Sequence, residues 1–114
     1  MAEVNRVVIE QLREAVGNEA FVEIATDFVK DTKRLEARLR RALAERDPDD
    51  ARACAHELRG LAATFGADGL VASCVAAQTA GHAALREIGT TAKLCASVRE
   101  AVERFASAAG QGAA

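Results

Sequence analysis

Between Phe21 and Leu43 the chain repeats one pattern without interruption. Phe21, Ile24, Phe28, Leu35, Leu39 and Leu43 recur at helical spacing, with Thr32 in the intervening turn and Lys, Arg, Asp and Glu on the other side. An apolar stripe of that length on one long helix cannot be buried alone, so other helices must cover it. The rest of the sequence supplies them and nothing else, because no stretch alternates as a strand does. The apolar half of the composition is mainly Ala, Leu and Val, with no Trp or Tyr and four Phe. Such small side chains favour close helix packing over sheet.

Punctuation divides the chain. Ile9, Leu12 and Val16 mark a first short helix from about Val4 to Val16, ended by Gly17 and Asn18. The long helix follows, from about Glu19 to Arg46. Asp47 and Pro48 suit the N-cap and first turn of a third helix, Pro48 to Phe65, closed by Gly66. A fourth is expected from an Asp68 cap to Ile88, on the stripe Leu70, Cys74, Ala77, Gly81, Leu85 and Ile88, with Gly89 as its stop. A fifth starts at Thr90 or Thr91 and uses Leu94, Val98, Val102 and Phe105. Short breaks make neighbouring helices antiparallel. The expectation is an all-α fold: an antiparallel up-down four-helix bundle with an additional short N-terminal helix. It forms one domain over 1–109, and 110–114 is a frayed tail.

The formal net charge of −2 speaks against a general nucleic-acid binder. The locally basic run Lys33 to Arg41 reads as a solvated helix face. No apolar run approaches the ~18 residues of a membrane span. Val4 to Ile9, interrupted by Asn5 and Arg6, is too short for a signal peptide. Cys54, Cys74 and Cys95 form no CxxC pair and lie among small apolar residues, so they read as buried, reduced thiols of a cytoplasmic protein. The expected oligomeric state is a monomer.

The segment "AHELRG", residues 55–60, stands out. With ~100° per residue and Cys54 at zero, Leu58, Leu61 and Phe65 fall within about 40° of it, while His56 falls at about 200°. Around His56 lie Arg59 at about 140°, Arg52 at about 160°, Ala63 at about 180° and Gly60 at about 240°. An exposed histidine therefore has two cations and two very small side chains as neighbours. A mid-helix Gly costs about 1 kcal/mol relative to Ala and often marks a place that something approaches closely. Metal chemistry is a poor fit: "HELRG" begins like HExxH, but position 60 is Gly, and His82 has no ligand cluster around it. Cys54 points to the core, which leaves no nucleophile relay. Two readings stay open on the residues alone, an ordinary surface histidine or one that is itself the nucleophile.

Residues 55–74, "AHELRGLAATFGADGLVASC", resemble the signature of histidine-containing phosphotransfer domains, roughly A-H-x-L-K-G-x5-G-x3-L with a small or apolar position four residues later. Ala55, His56, Leu58, Gly60, Gly66, Leu70 and Cys74 meet it. Gln78 stands where that family commonly has Gln or Glu, on the helix after the one that carries the histidine. Upstream, "FVKDTKRLEARLRRALAERD" is similar to the family's preceding helix, so the resemblance covers nearly the whole chain. One position departs: Arg59 replaces the usual Lys, keeping the charge and offering a planar fork to phosphate oxygens.

The resemblance implies a phosphorelay intermediate. His56 Nε2 takes a phosphoryl group from the aspartyl phosphate of one receiver domain and passes it to another. Gln78 orients the imidazole, Arg59 stabilises the phosphoryl charge, Gly60 gives clearance, and Arg52 is a further candidate for charge or docking. Val71 and Val75 are candidates for an apolar docking patch, beside the third and first helices. The implied partners are receiver domains of response regulators or hybrid sensor kinases. No cofactor is expected in this chain, the divalent metal belonging to the receiver, and the absence of GxxxxGK[ST] and GxGxxG implies a carrier rather than a kinase. The competing reading is a helical module that binds and inhibits a kinase or receiver without being phosphorylated.

Overall fold

The computed structural model describes residues 3–79 and 84–113. Five helices follow in order: α1 Arg6–Val16, α2 Asn18–Glu45, α3 Pro48–Thr64, α4 Asp68–Thr79 and α5 Ala84–Ala113. Local chemistry explains most of the ends. Asn5 caps α1, its side chain accepting from the Val7 and Val8 amides. Gly17, at φ 86°, joins α1 directly to α2, so Asn18 opens the second helix rather than closing the first. Arg46 ends α2 in the left-handed region at φ 52°. Asp47 then accepts from the Asp50 amide at 3.1 Å, with Pro48 in the first turn of α3.

Helices α2, α3, α4 and α5 form the bundle, each packed against the next and α5 closing on α2. Cross-contacts run antiparallel. Arg38 meets Asp50 and Arg34 meets Glu57 between α2 and α3, while Leu43 approaches Gly89 and Thr32 meets Cys95 between α2 and α5. The molecule measures 48 × 21 × 20 Å, its length close to that of the 30-residue α5. Phe21, Leu35, Leu39, Cys54, Leu58, Phe65, Leu70, Ile88, Cys95 and Val102 fill the core. Thr32 is fully buried and returns its hydroxyl to the Phe28 carbonyl at 2.8 Å, which lets it occupy an apolar stripe.

At one end α1 covers the bundle. Phe65 stands with its ring centroid 4.6 Å from that of Phe28 and 6.3 Å from that of Phe21, and Ile9 is buried nearby. The turn after α3 passes under α1 at Gly66, φ 63°, where a Cβ would lie 2.6 Å from Asn5 Cβ and 3.1 Å from Val8. Gly66 is thus required twice, for its backbone angle and for the approach of α1.

The largest departure from expectation concerns the fourth and fifth helices. The fourth ends at Thr79, not Ile88, and α5 is already helical from Ala84 through Gly89 and beyond. Leu70, Cys74 and Ala77 lie buried on α4, whereas buried Ile88 belongs to α5; Gly81 and His82 lie outside the described residues. Gly89 is not a stop. It sits inside a helix on the side toward α2, where a Cβ would meet Leu43 Cδ2 at an ordinary contact distance of 4.0 Å. Thr91, expected at a helix start, is fully buried in α5. Its Oγ1 lies 2.6 Å from Ser73 Oγ of α4 and donates to the Glu87 carbonyl at 2.8 Å. The segment expected as a tail continues α5 to Ala113, with Ala109 buried.

Charge also ties the helices. Glu36 of α2 accepts from Arg99 of α5 at 2.8 Å and from Arg40 at 3.0 Å, with only about 15% of the Glu36 side chain exposed. Burial opposes its charge, but the bonds from Arg99 and Arg40 outweigh it and hold the carboxyl below its usual range. A folded pKa below the unfolded one stabilises the fold above the unfolded pKa and is lost as pH falls through the folded value. Denaturant midpoints are therefore expected to drop below about pH 4.3, and Glu36→Gln to flatten that acid slope. An unchanged slope in Glu36→Gln overturns the assignment.

Candidate functional site

Helix α3 positions the site by burying its opposite side. Cys54, Ala55, Leu58 and Ala62 are fully buried, and this leaves His56, Arg59, Gly60 and Ala63 exposed, as the projection predicts. Two ion pairs hold the helix to α2: Arg38 binds Asp50 through Nε and Nη2, and Arg34 Nη2 donates to Glu57 at 2.7 Å. Arg34, Arg38 and Arg40 of the basic run are thereby engaged with carboxylates, which leaves that face partly neutralised.

Helix α4 brings the second residue. Gln78 Nε2 lies 3.2 Å from His56 Nδ1, although the two are far apart in sequence. The other ring nitrogen, Nε2, makes no hydrogen bond among the described residues, and the residue is exposed. Gln78 Oε1 is buried and has no hydrogen-bond partner among the described residues. The amide thus presses one end on the imidazole, and turning it end for end exchanges its oxygen and nitrogen.

The remaining candidates take different places. Arg59 is exposed and makes no ion pair among the described residues. A Cβ added at Gly60 would meet nothing within 4 Å among the described residues, so internal packing does not require the glycine. Arg52 is engaged with Asp49 one turn earlier, which ties its charge to a neighbour on α3. Val75 is exposed on α4 and Val71 half-buried against the core, and Val7 of α1 is 63% exposed. The cysteines take no part: all three are buried and free. Burial pushes the Cys54 thiol up to about 11, and those of Cys74 and Cys95 to about 12. Among the described residues no group of three or more His, Cys, Asp or Glu could hold a metal ion.

Sequence reasoning missed the α2–α3 ion pairs and the Ser73–Thr91 contact. Asp50 and Glu57, two turns apart, share a face of α3, and Arg34 and Arg38 share one on α2; that spacing was the available signal.

The family model of the Hpt domain matches residues 23–108. The chain belongs to the Hpt domain family. Its Hpt fold is similar to the crystal structure of histidine-containing phosphotransfer protein B (HptB) from Pseudomonas aeruginosa PAO1. That likeness has a TM-score of 0.79 and 23% identity over 92% of this chain and 95% of that one. No curated protein matches the sequence. Hpt domains are phosphocarriers of two-component signalling that work with receiver domains, and membership places this chain in that class. No helix among the described residues is long and apolar enough to cross a membrane.

Proposed function

We propose that His56 is the phosphoacceptor of a relay, taking a phosphoryl group from a receiver aspartyl phosphate and giving it to a second receiver. The observation that carries this is the exposed His56 ring with Nδ1 held 3.2 Å from the Gln78 amide. In the transfer, the Nε2 lone pair forms the N–P bond as the bond from phosphorus to the aspartyl oxygen breaks, and the carboxylate leaves. The reactive tautomer carries its proton on Nδ1. It calls for the Gln78 amide oxygen toward that N–H, the orientation reached by rotating the amide so that its two ends change places.

Arg59, which pairs with no carboxylate among the described residues, is available to the phosphoryl oxygens. Arg52, already engaged with Asp49, is the weaker donor and serves as a docking contact. Gly60 keeps the approach open, and Val75, with the half-buried Val71, offers an apolar flank to the receiver. Because the transfer needs positioning and charge stabilisation above all, the divalent ion and acidic residues belong to the receiver in this reading. The chain itself uses no cofactor.

The test is incubation with receiver domains phosphorylated on aspartate. Label is expected on the protein in an acid-labile, alkali-stable form. Stable binding of receivers with no label from any of them overturns the carrier reading in favour of an inhibitory module. Gly60→Leu separates clearance from stability. It is expected to raise helix stability by about 0.8 kcal/mol, while slowing transfer at least about tenfold. Transfer at the normal rate in Gly60→Leu sinks the clearance argument.

A further inference from the structure

Gln78 can meet His56 only if α4 keeps one rotation about its own axis, and the apolar residues of α4 fix that rotation weakly. The helix is twelve residues long and apolar on nearly every side, with Leu70, Val71, Val75 and several alanines spread around it. Leu70 is its single large fully buried side chain, and the other buried positions are Ser73, Cys74 and Ala77. Small side chains of similar size resist a turn of the helix poorly. A rotation of only about 20°, at a helix radius of about 5–6 Å, moves a side chain by about 2 Å. That is enough to break a contact of 3.2 Å.

One directional contact opposes such a turn. Ser73 Oγ and Thr91 Oγ1 lie 2.6 Å apart in the core between α4 and α5, Ser73 8% exposed and Thr91 not at all. The protons can be assigned. Thr91 gives its own to the Glu87 carbonyl at 2.8 Å, so Ser73 donates to Thr91 Oγ1. The Ser73 hydroxyl keeps this partner only while it faces α5, and losing the bond leaves it buried and unpaired, whereas Thr91 keeps its bond to Glu87. Gln78 follows Ser73 by five positions, about 140° further round the helix. Fixing Ser73 on α5 therefore aims Gln78 at α3.

We infer that Ser73 and Thr91 are positioning residues, a buried hydroxyl clamp that sets the rotation of α4 and so holds Gln78 on His56 Nδ1. The inference deepens the phosphotransfer reading of His56 and rests on it for its effect on rate, but its effect on the imidazole does not.

The experiment therefore reads the ring first. Nitrogen-resolved NMR of the His56 imidazole is recorded in the unphosphorylated protein and in Gln78→Ala, Thr91→Val, Thr91→Ser and Ser73→Ala. Thr91→Val and Ser73→Ala are expected to move both ring nitrogens toward their positions in Gln78→Ala, and Thr91→Ser, which keeps the hydroxyl, to restore them. Transfer from a phosphorylated receiver is expected to slow about tenfold in Thr91→Val, and adding Thr91→Val to Gln78→Ala is expected to cost nothing more. If Thr91→Val does not fold, Ser73→Ala removes the same bond and decides the matter. Ring nitrogens that respond to Gln78→Ala but not to loss of either hydroxyl overturn the clamp alone. So do rate losses that multiply between Thr91 and Gln78. A ring that responds as expected in a protein that accepts no phosphoryl group upholds the clamp and removes the phosphotransfer reading.

Discussion

His56→Gln is expected to take no label from any phosphorylated receiver and to lose none of its fold. The two halves follow from the same geometry. His56 is exposed on α3, and its side chain bonds within the described residues only to Gln78. Removing the imidazole leaves Cys54, Leu58 and Phe65 packed as before. A surface change of this kind shifts stability by about 0.5 kcal/mol or less, or about 2–4 °C in melting temperature for a domain of this size. Glutamine has about the reach of histidine but no ring nitrogen with a free lone pair, so the N–P bond cannot form. The loss in transfer should therefore be complete, against the partial losses expected for Gly60→Leu and Thr91→Val. Melting curves and acid-labile label, measured on the same preparation, check both halves. Label retained by His56→Gln places the acceptor elsewhere, with His82 the next histidine to replace.

What was legible in the sequence follows from how each feature is encoded. The exposure of His56 was readable because the stripe behind it, Cys54, Leu58 and Phe65, is strong and local, and all three are buried. The caps at Asp47 and Gly66 were readable because each has chemistry that serves few other purposes: a carboxylate before proline, and a glycine at positive φ. The boundary between α4 and α5 was not. Leu70, Cys74, Ala77, Leu85 and Ile88 keep helical spacing through it, so periodicity sees one helix, and Gly89 looks like the stop although it packs toward Leu43. Gln78 was found by resemblance, not by pattern, since nothing local distinguishes it from another polar residue at the edge of a core stripe. The Ser73–Thr91 bond left no such trace, because it depends on two helices meeting in one register, which neither helix encodes alone; for the Arg34–Glu57 pair the charged spacing on each helix was visible but the register that joins them was not.

The second large effect lies away from the histidine. Phe65→Ala is expected to destabilise the fold by about 3–5 kcal/mol, against a total of about 5–15 kcal/mol for a domain. Phe65 is 1% exposed, with its ring tilted against Phe28 at 4.6 Å and edge-on to Phe21 at 6.3 Å, so its removal opens a cavity at the centre of that aromatic cluster. The damage should extend to α1. The Phe65 carbonyl accepts from the Asn5 amide at 3.4 Å, and Gly66 beside it passes directly under Asn5 and Val8. A backbone that relaxes into the cavity therefore loosens the seat of that helix. His56 lies nine positions earlier, about 14 Å along α3, and its bond to Gln78 does not pass through the cluster. Denaturant unfolding should show a lower midpoint, while transfer measured at low temperature on the folded fraction stays near the wild-type rate. Phe65→Leu, which refills much of the space, should recover more than half of the stability lost. A loss below about 1 kcal/mol in Phe65→Ala contradicts close packing of these rings. A slowed transfer in the folded fraction means instead that the seat of α1 and the histidine face are coupled, which the separation of the two sites along α3 argues against.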